Sequence, residues 1–543
     1  MEFQLLSDSP WSEDHPWYSP SSSTTRNMVA YLAYARTCWS NFQMAPFPPG
    51  AKTECEHLPV CHKISLSKPM YMDVKATSIG KCFRDNVAVN AILKETSAPT
   101  KRVGDILSTQ TKSGFIPELL IRNYSDVITH AGLPQHTVPD EIRGLLSRAT
   151  SRILDRWKLH SILRSERPDS VPYHPRALAG VKYTGHKEQN FEKATKARIS
   201  YEEHFLTDGF SLRKSTAFAL LCRLQVSSVD NPKHRPVAAD TFHRYLQDGI
   251  ACSPWYRALK YENIPCSFGY NLEDQAKVRD RLLTMHGSAN FELVADFPGF
   301  DFGKLQDRGL PTSRFLNGVR SWEIRLAFMI LSQPFETDDT DATLSLVMGQ
   351  AYVTFKKICY RRDLYIFTET MPSGTYWVYL IDSIICDIRI EMVSISLGDP
   401  LSARIVGGDD SYTAMCIQCF VLDRANLPLA AIGTELAAPP KTQIRFTDDY
   451  QTHGLKFHGH KTLNESPFRE DDDVIASCVL LEREDNDDIE VCVGRLKAIW
   501  IDAGRRPAWL HRVWLQLERD CGRTVDPDFF WHERMWHAPL LLR

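Results

Sequence analysis

The segment "IVGGDDSYTA" (residues 405–414) places two adjacent carboxylates directly after an apolar run and two glycines. Like charges held this close repel each other, and in a low-dielectric site neither ionises easily unless a cation neutralises both. Glycine and aspartate are also common turn residues, so an ordinary type I′ hairpin is the simplest explanation of this segment alone. The other segments of the chain decide between a plain turn and a cation site.

A second acidic segment lies upstream. "FELVAD" (residues 291–296) predicts a strand whose last residue, Asp296, emerges at a sheet edge, and Asp301 follows five residues later. If this strand lies beside the hairpin that carries Asp409 and Asp410, three carboxylates come together, which is costly without metal. Carboxylates are the ligands of hard divalent cations. The sequence therefore predicts a two-metal site that activates a 3′-hydroxyl and stabilises a pyrophosphate leaving group.

A third segment, "MPSGTYWVYLIDS" (residues 371–383), combines a loop signal with the start of an apolar run. The stretch 376–393 has the length and apolar content of a helix. Ser373 and Gly374 precede it, where free backbone N–H groups can face an anion, and Asp382 is expected about two turns inside. Each segment alone is weak evidence, but their order and spacing together are informative.

These three segments resemble the palm motifs of viral RNA-dependent RNA polymerases, most closely those of small double-stranded RNA viruses of the partitivirus and picobirnavirus type. "DFPGFD", "MPSGTYWVYLIDS" and "GGDDS" are similar to their first, second and third palm motifs. "NPKHRPVAADTFHRYL" (231–246) resembles the fingers motif that holds the triphosphate, and "HGLKFHGHKT" (453–462) resembles the fourth palm motif. "SWEIRLAFMIL" (321–331) is similar to the helix after the first motif. The resemblance covers residues 230–465 well and the two ends poorly.

The resemblance implies roles for individual residues. Asp296, Asp409 and Asp410 would be catalytic and would bind two Mg²⁺ or Mn²⁺ ions, and Lys461 would protonate the departing pyrophosphate. The family pattern differs here at Val378, where threonine is usual, and at Asp382, where other polymerases often have asparagine. The implied substrate-binding residues are Asp301, Ser373 and Asp382 at the ribose, Lys233 and Arg235 at the triphosphate, and Gly374 and Thr375 in the same loop as Ser373.

The expected fold is an α+β right-hand polymerase with fingers, palm and thumb, an antiparallel palm sheet flanked by helices, and an encircled active site. A chain of 543 residues is long enough for several lobes. The expected division is an N-terminal extension bridging fingers and thumb (1–130), fingers (131–290), a first palm segment (291–310), a fingers insertion (311–370), palm (371–470) and thumb (471–543).

The net charge of −3 gives no global sign of nucleic-acid binding, so local charge matters more. Residues 140–166 predict an amphipathic helix whose polar face carries several arginines. That face is either solvated or a basic wall for a phosphate backbone. Near the C-terminus, "VIASCVLL" (474–481) predicts a strand, and the tryptophan-rich stretch after it predicts a small helical lobe. The aromatic residues expected in the core of that lobe are Trp500, Trp509, Trp514, Trp531 and Trp536.

The first residues are acidic and polar, and no apolar run reaches membrane-spanning length, so we expect neither a secretory signal nor a membrane anchor. Fourteen cysteines without paired spacing predict free thiols. Cys55, Cys61 and His62 form only part of a zinc ligand set. The expected partners are an RNA template and product, ribonucleoside triphosphates and a viral capsid protein, and the expected location is the virion interior and the host cytoplasm.

Three alternatives remain open at this level. A reverse-transcriptase-like polymerase uses the same palm, but it normally has a bulky residue where Asp301 stands. A non-catalytic replicase scaffold with a polymerase fold would tolerate loss of Asp296, Asp409 or Asp410, and none is lost. A metal-dependent phosphohydrolase would require histidine-rich ligand sets around the carboxylates, and none is visible.

Overall fold

The computed structural model describes most of the chain, with gaps. The described ranges are 24–48, 61–63, 83–95, 97–112, 138–175, 177–211, 215–223, 226–230, 235–270, 272–300, 304–306, 314–316, 318–361, 364–368, 371–399, 401–446, 455–463, 466–481 and 488–527.

A four-stranded antiparallel sheet, here called the central sheet, carries both acidic segments. The predicted strand extends over Phe291–Ala295 and is buried along its whole length, because one face of it packs into the main hydrophobic cluster and Val294 on the other face packs into a second cluster. This confirms the prediction from "FELVAD" and the expected antiparallel sheet. The strand order is Ala403–Gly407, Asp410–Met415, Phe291–Ala295 and Gln443–Phe446.

The long helix Val378–Leu397 packs against the first two strands of the central sheet. Its side chains are buried almost throughout, because it also contacts the helices Arg143–Arg156 and Leu422–Ala431. The helix starts two residues later than expected, so Asp382 lies about one turn inside it and not two. It ends at Gly398, whose φ of +97° is the left-handed conformation that glycine adopts at helix C-termini.

A mixed five-stranded sheet forms the second β layer of the structure. One neighbouring pair, Lys356–Arg361 with Phe218–Arg223, is parallel, and the other pairs are antiparallel. The edge strand Arg235–Ala239 comes from the segment that resembles the fingers motif. The order across the sheet is Cys61–Lys63, Leu364–Thr368, Lys356–Arg361, Phe218–Arg223 and Arg235–Ala239.

The C-terminal helices form a separate hydrophobic cluster with two helices from the N-terminal part of the chain, and we call this unit the C-terminal lobe. Trp509 is buried in it, and Trp500 and Trp514 pack against it, as expected for an aromatic core. Trp531 and Trp536 lie outside the described residues. The helices of the lobe are Asn86–Lys94, Thr100–Thr109, Asp471–Val479, Ile489–Asp502 and Ala508–Cys521.

The strand predicted from "VIASCVLL" is wrong for most of its length. Residues 471–479 form a helix, and only Leu480–Leu481 form a short strand. Three aspartates, Asp471, Asp472 and Asp473, occupy the first turn of the helix, where negative charge interacts favourably with the helix dipole. This favourable end charge and burial of the apolar face outweigh the β-propensity of valine and isoleucine.

The predicted amphipathic helix is present as Arg143–Arg156, and its basic face is divided: Arg148 is exposed, as in a solvated face, whereas two other arginines pair with buried carboxylates. Arg152 and Arg156 donate hydrogen bonds to Glu391 and Asp387, two fully buried carboxylates of the long helix. Arg404 of the central sheet contacts the same two carboxylates. These arginines therefore neutralise buried charge, and they form neither a solvated face nor a wall for phosphates.

The described ranges contain further helices and strand pairs beside these units. None of the helices in the described ranges is both long enough and apolar enough to cross a membrane. The remaining helices are Thr24–Ser40, Phe191–Asp208, Phe242–Ala258, Leu272–Met285, Ser321–Ser332 and Thr340–Thr354, and the remaining strand pairs are Phe83–Arg84 with Leu480–Leu481, Gln110–Lys112 with Val226–Ser228, Lys304–Gln306 with Arg314–Leu316, and Lys461–Leu463 with Ser466–Phe468.

Candidate active site

The two acidic segments meet at one end of the central sheet. Ala295 pairs with Ser411 across antiparallel strands, so Asp296 and Asp410 follow as the next facing positions at the same sheet end. Asp410 in turn pairs with Gly407. The chain therefore brings the first and third motif-like segments side by side, as the sequence predicted.

Asp409 lies in the two-residue loop of the hairpin 403–415, which we call the GDD hairpin. Gly408, the first loop residue, has a φ of +63°, whereas Asp409 is not among the described residues with positive φ. A type I′ turn needs positive φ at both positions and a type II′ turn only at the first. The loop therefore has the backbone signature of type II′, and the type I′ expectation is wrong. The side chain of Asp409 is exposed at the tip.

The long helix supports the GDD hairpin from below. The hydroxyl of Ser383 accepts a hydrogen bond of 2.8 Å from the backbone N–H of Gly408 and donates one of 2.6 Å to the carbonyl of Tyr379. The Cys386 thiol lies 3.6 Å from the carbonyl oxygen of Asp409. Burial raises the pKa of this thiol well above its ordinary value, and the negative charges of Asp409 and Asp410 act in the same direction. Cys386 therefore stays a neutral thiol beneath the hairpin.

A histidine that the sequence reasoning missed contacts the second aspartate of the hairpin. The Nδ1 atom of His458 lies 3.1 Å from Oδ2 of Asp410, and its Nε2 atom lies 2.7 Å from the hydroxyl of Ser267. That hydroxyl lies 3.0 Å from the hydroxyl of Tyr379. His458 lies three residues before Lys461 in the fourth motif-like segment, so proximity to that motif was the available signal.

The loop that precedes the long helix, residues 371–377, is called the PSG loop. Gly374 forms a parallel bridge with Ala239, and its carbonyl lies 3.4 Å from the backbone nitrogen of Asp240. A Cβ atom on Gly374 would lie 2.5 Å from the carbonyl oxygen of Ala238. Glycine is therefore required for this close approach. The contact joins the second motif-like segment to the strand Arg235–Ala239 of the fingers-like motif.

Two hydroxyls of the PSG loop are buried without a described hydrogen-bond partner. The hydroxyl oxygens of Ser373 and Thr375 are shielded from solvent, and neither has a hydrogen-bond partner among the described residues. Thr375 itself is only 5% exposed. Buried hydroxyls are normally hydrogen-bonded, so unsatisfied ones point to a partner that binds from outside the chain.

The loop that follows Asp296 is held by a contact between Phe300 and the buried Arg389. The guanidinium of Arg389 lies 4.7 Å from the centre of the Phe300 ring and donates two hydrogen bonds, of 2.8 and 2.7 Å, to Glu323. Arg389 and Glu323 are both fully buried. Glu323 is the third residue of "SWEIRLAFMIL", so this segment positions the first motif-like loop through the long helix.

The structure describes only some of the other predicted site residues. Asp382 is buried about one turn into the long helix. Lys461 begins a short strand and donates a 2.7 Å hydrogen bond to Glu470. Arg235 opens the edge strand of the second sheet, but its side chain is outside the described part of the structure, as are Lys233 and Asp301 entirely. Their proposed roles stay predictions.

The donor set at the sheet end suits a hard cation. Asp296, Asp409 and Asp410 supply only oxygen ligands, and Mg²⁺ is typically held by one or two carboxylates together with waters and substrate phosphates. Within the described ranges, no three His, Cys, Asp or Glu side chains lie close enough together to hold a metal ion by themselves. The expected gathering of Asp296, Asp409 and Asp410 into one metal site is therefore not seen in the described structure, although their ligand chemistry suits an ion that also takes oxygen ligands from a substrate.

Comparison with known proteins agrees with this geometry. No protein-family model matches the chain, and no curated protein matches it either. Among solved structures, the RNA-dependent RNA polymerase of a human picobirnavirus matches with a TM-score of 0.56 at 14% identity, covering 89% of this chain and 89% of that one.

This chain shares the fold of that polymerase. An insertion-loop deletion mutant of the RNA-dependent RNA polymerase of a human picobirnavirus matches with a TM-score of 0.57 at 13% identity, covering 80% of this chain and 86% of the mutant. The likeness extends over most of both chains. The mixed helix-and-strand fold with antiparallel sheets therefore matches the fold of these two structures.

Proposed function

We propose that the chain is the RNA-dependent RNA polymerase of a double-stranded RNA virus and adds ribonucleotides to a 3′-hydroxyl on an RNA template. The observation that carries this proposal is that Asp296 and Asp410 directly follow the paired residues Ala295 and Ser411 at one end of the central sheet, in a fold shared with picobirnavirus polymerases. A phosphohydrolase would not explain why the PSG loop and the strand Arg235–Ala239 accompany these aspartates. The aspartates, the PSG loop and that strand correspond to metal, ribose and phosphate sites of one reaction.

In this proposal Asp296, Asp409 and Asp410 together hold the cations. Two Mg²⁺ or Mn²⁺ ions, when bound, would activate the 3′-hydroxyl and neutralise charge on the pyrophosphate leaving group. The chain itself contributes the fixed positions of the carboxylates. The GDD hairpin is held by Ser383, and the Asp296 loop is held by Arg389.

The hydroxyls of Ser373 and Thr375 are proposed to bind the incoming nucleotide or the template beside it. They are buried and lack described protein partners, so an RNA or NTP hydroxyl would satisfy them. Asp301 and Asp382 are proposed to surround the ribose, and Gly374 fixes the loop against the edge strand. A site built to hydrogen-bond a hydroxyl discriminates strongly against the analogue that lacks it, which gives preference for ribonucleotides.

The triphosphate carries more negative charge than two divalent cations neutralise. We propose that Lys233 and Arg235 bind the remaining charge, since arginine stays protonated and can bind two phosphate oxygens. Lys461 is proposed to protonate the departing pyrophosphate. Because Lys461 is hydrogen-bonded to Glu470, this role requires exchange of that partner when substrate binds.

The finer architecture belongs to the same proposal. The central sheet with the long helix would be the palm, the second sheet and its helices the fingers, and the C-terminal lobe the thumb. The helices Asn86–Lys94 and Thr100–Thr109 belong to the C-terminal lobe, and the strand Gln110–Lys112 that follows them pairs with Val226–Ser228, which suits an N-terminal segment that bridges thumb and fingers. A capsid protein as partner and a location in the virion and host cytoplasm follow from the proposed viral role.

A primer-extension assay tests the proposed function. The purified chain, a homopolymeric RNA template with a short complementary primer, labelled NTP and either Mg²⁺ or Mn²⁺ should yield extended RNA. Parallel reactions with dNTP and with a DNA template distinguish a reverse-transcriptase-like activity. Asp409→Asn is the matched control, because it removes one charge without changing the side-chain shape. Absence of extension by the wild-type chain under all metal conditions would leave a non-catalytic scaffold as the better explanation.

A further inference from the structure

We infer that His458 is a positioning residue that fixes the orientation of the Asp410 carboxylate and ties it to the C-terminal lobe. This inference deepens the proposed function and rests on it. Nothing in the motif resemblance assigns a role to this histidine. Its backbone conformation, its two hydrogen bonds and the anchoring of its turn carry the inference.

His458 occupies an unfavourable backbone conformation. Phe457 and His460 exchange two backbone hydrogen bonds, of 2.9 and 3.0 Å, around a loop of two residues. Both loop residues, His458 and Gly459, have left-handed φ values, of +48° and +80°, as in a type I′ turn. Glycine or asparagine is preferred at the first position, and another L-residue there costs roughly 1–2 kcal/mol. A residue kept in such a conformation usually serves a role that its side chain provides.

The side chain of His458 bridges two elements of the candidate site. An ionised carboxylate only accepts hydrogen bonds, so Nδ1 of His458 donates to Asp410. Nε2 faces the hydroxyl of Ser267, which also contacts Tyr379 of the long helix. A Cβ atom on Gly407 would lie 2.1 Å from the hydroxyl oxygen of Ser267 and 2.3 Å from Nε2, so the glycine before the hairpin loop makes room for both side chains. The imidazole therefore has a defined place between the GDD hairpin and the long helix.

The other end of the turn is anchored in the C-terminal lobe. His460 is buried, its Nδ1 atom lies 3.1 Å from the carbonyl oxygen of His458, and its Nε2 atom lies 2.8 Å from the carbonyl oxygen of Asp502. Asp502 ends the helix Ile489–Asp502 and accepts a 2.8 Å hydrogen bond from Arg469. A displacement of the C-terminal lobe would therefore move the turn 457–460, and with it His458, the hydrogen-bond partner of Asp410.

The decisive variant is His458→Gly, because glycine adopts the left-handed conformation freely and only the side chain is lost. We expect the unfolding midpoint to be retained and kcat for single-nucleotide addition to fall about tenfold to a hundredfold. The KM for NTP should stay within about twofold, because the triphosphate ligands are untouched. Mn²⁺ binding to the RNA-free protein, titrated by EPR, should weaken by about threefold or more, since the Asp410 carboxylate loses the hydrogen bond from His458 that helps to fix its orientation.

Two further variants separate positioning from general loss of structure. His458→Asn should recover part of both readouts, because asparagine tolerates the left-handed backbone and its amide can donate to Asp410. Gly407→Ala should also lower kcat and Mn²⁺ affinity with the histidine still present, because the new methyl group would displace the imidazole together with the Ser267 hydroxyl that contacts it. Arg505→Gly is the control for the backbone change, since exposed Arg505 also has a positive φ of +58° and lies on the C-terminal lobe.

The outcomes separate this inference from the proposed function. If the wild-type chain extends no primer, the polymerase proposal fails, while the Mn²⁺ titration still compares wild type with His458→Gly. If His458→Gly binds Mn²⁺ and turns over nucleotide as the wild type does, the positioning role is overturned and the polymerase proposal stands. A raised KM for NTP with unchanged kcat would also overturn it, because that result places His458 at the substrate and not at the aspartate.

Discussion

The substitution Gly374→Ala tests whether the PSG loop must touch the edge strand for catalysis. The added Cβ would lie 2.5 Å from the carbonyl oxygen of Ala238 and 2.9 Å from the Cα atom of Ala239. Ordinary van der Waals contact begins at 3.4 Å, so the new Cβ would lie 0.9 Å too close to the carbonyl oxygen of Ala238. Both neighbours are backbone atoms, so no side chain can rotate away. The loop and the strand have to separate.

The size of the effect follows from that displacement. The φ angle of Gly374 is not in the left-handed region, so alanine is allowed there and the contact alone is responsible for the cost. Overpacking of this kind costs about 1–3 kcal/mol of stability. A misplacement of roughly 1 Å at a substrate-positioning loop can lower turnover by about a hundredfold. We therefore expect a modest fall in the unfolding midpoint and a much larger fall in kcat/KM for NTP.

The assay is single-nucleotide extension of a primed RNA template, combined with thermal unfolding of the same preparation. Gly144→Ala is the control, because a Cβ there meets no atom within 4 Å and alanine favours the helix by up to about 1 kcal/mol. Wild-type kinetics and stability for Gly374→Ala would refute the reasoning, since they would mean that the loop does not rest on the strand in the working enzyme. Equal losses in both variants would point to a general sensitivity to glycine replacement.

Three other predictions can be checked with the same protein. Asp296→Asn and Asp409→Asn should each abolish nucleotide addition while the unfolding midpoint stays unchanged or rises slightly, because they reduce repulsion among neighbouring carboxylates; a residual rate near wild type would contradict the metal assignment. Arg389→Met should destabilise the protein by about 3–5 kcal/mol, because it leaves buried Glu323 unpaired, and adding Glu323→Gln should recover most of this loss in chemical denaturation. Burial lowers the pKa of His243 to about 3, so the unfolded chain binds a proton below pH 6.5 that the folded chain does not. His243→Phe should therefore flatten the fall of stability between pH 6.5 and 4, worth up to about 1.4 kcal/mol per pH unit for one group, and an unchanged slope of unfolding midpoint against pH would contradict that assignment.

The parts of the site that the sequence predicted are those with local signatures. The strand ending before Asp296, the hairpin at Asp409 and the helix after the PSG loop each have an apolar pattern with its own boundary residues. Their order along the chain resembles known polymerase motifs, so their meeting in space was expected as well. The type II′ geometry was not predictable, because Gly-Asp suits both primed turns and the choice depends on the contacts of the whole hairpin.

The parts that the sequence did not predict depend on pairs far apart in the chain. Arg152 and Arg156 have the pattern of a solvated helix face, and only the packed structure brings the carboxylates of the long helix against them. His458 looks like one histidine among three in its segment, and its contact with Asp410 depends on a turn that is anchored in another lobe. Periodicity reports which face of an element is apolar, but it does not report which polar groups meet.

The contacts and exposure of Asp410 explain how the chain keeps two adjacent aspartates at the end of an apolar strand. Two carboxylates of the long helix are fully buried, and both lie beside arginines: Asp387 and Glu391 contact Arg156 and Arg404. Asp410 differs, because its side chain is 49% exposed at the sheet end. Water can screen its charge in the free protein, so the fold does not need a cation to remain stable. The same exposure leaves the carboxylate open to ions that arrive with a substrate, which internal arginines would have prevented.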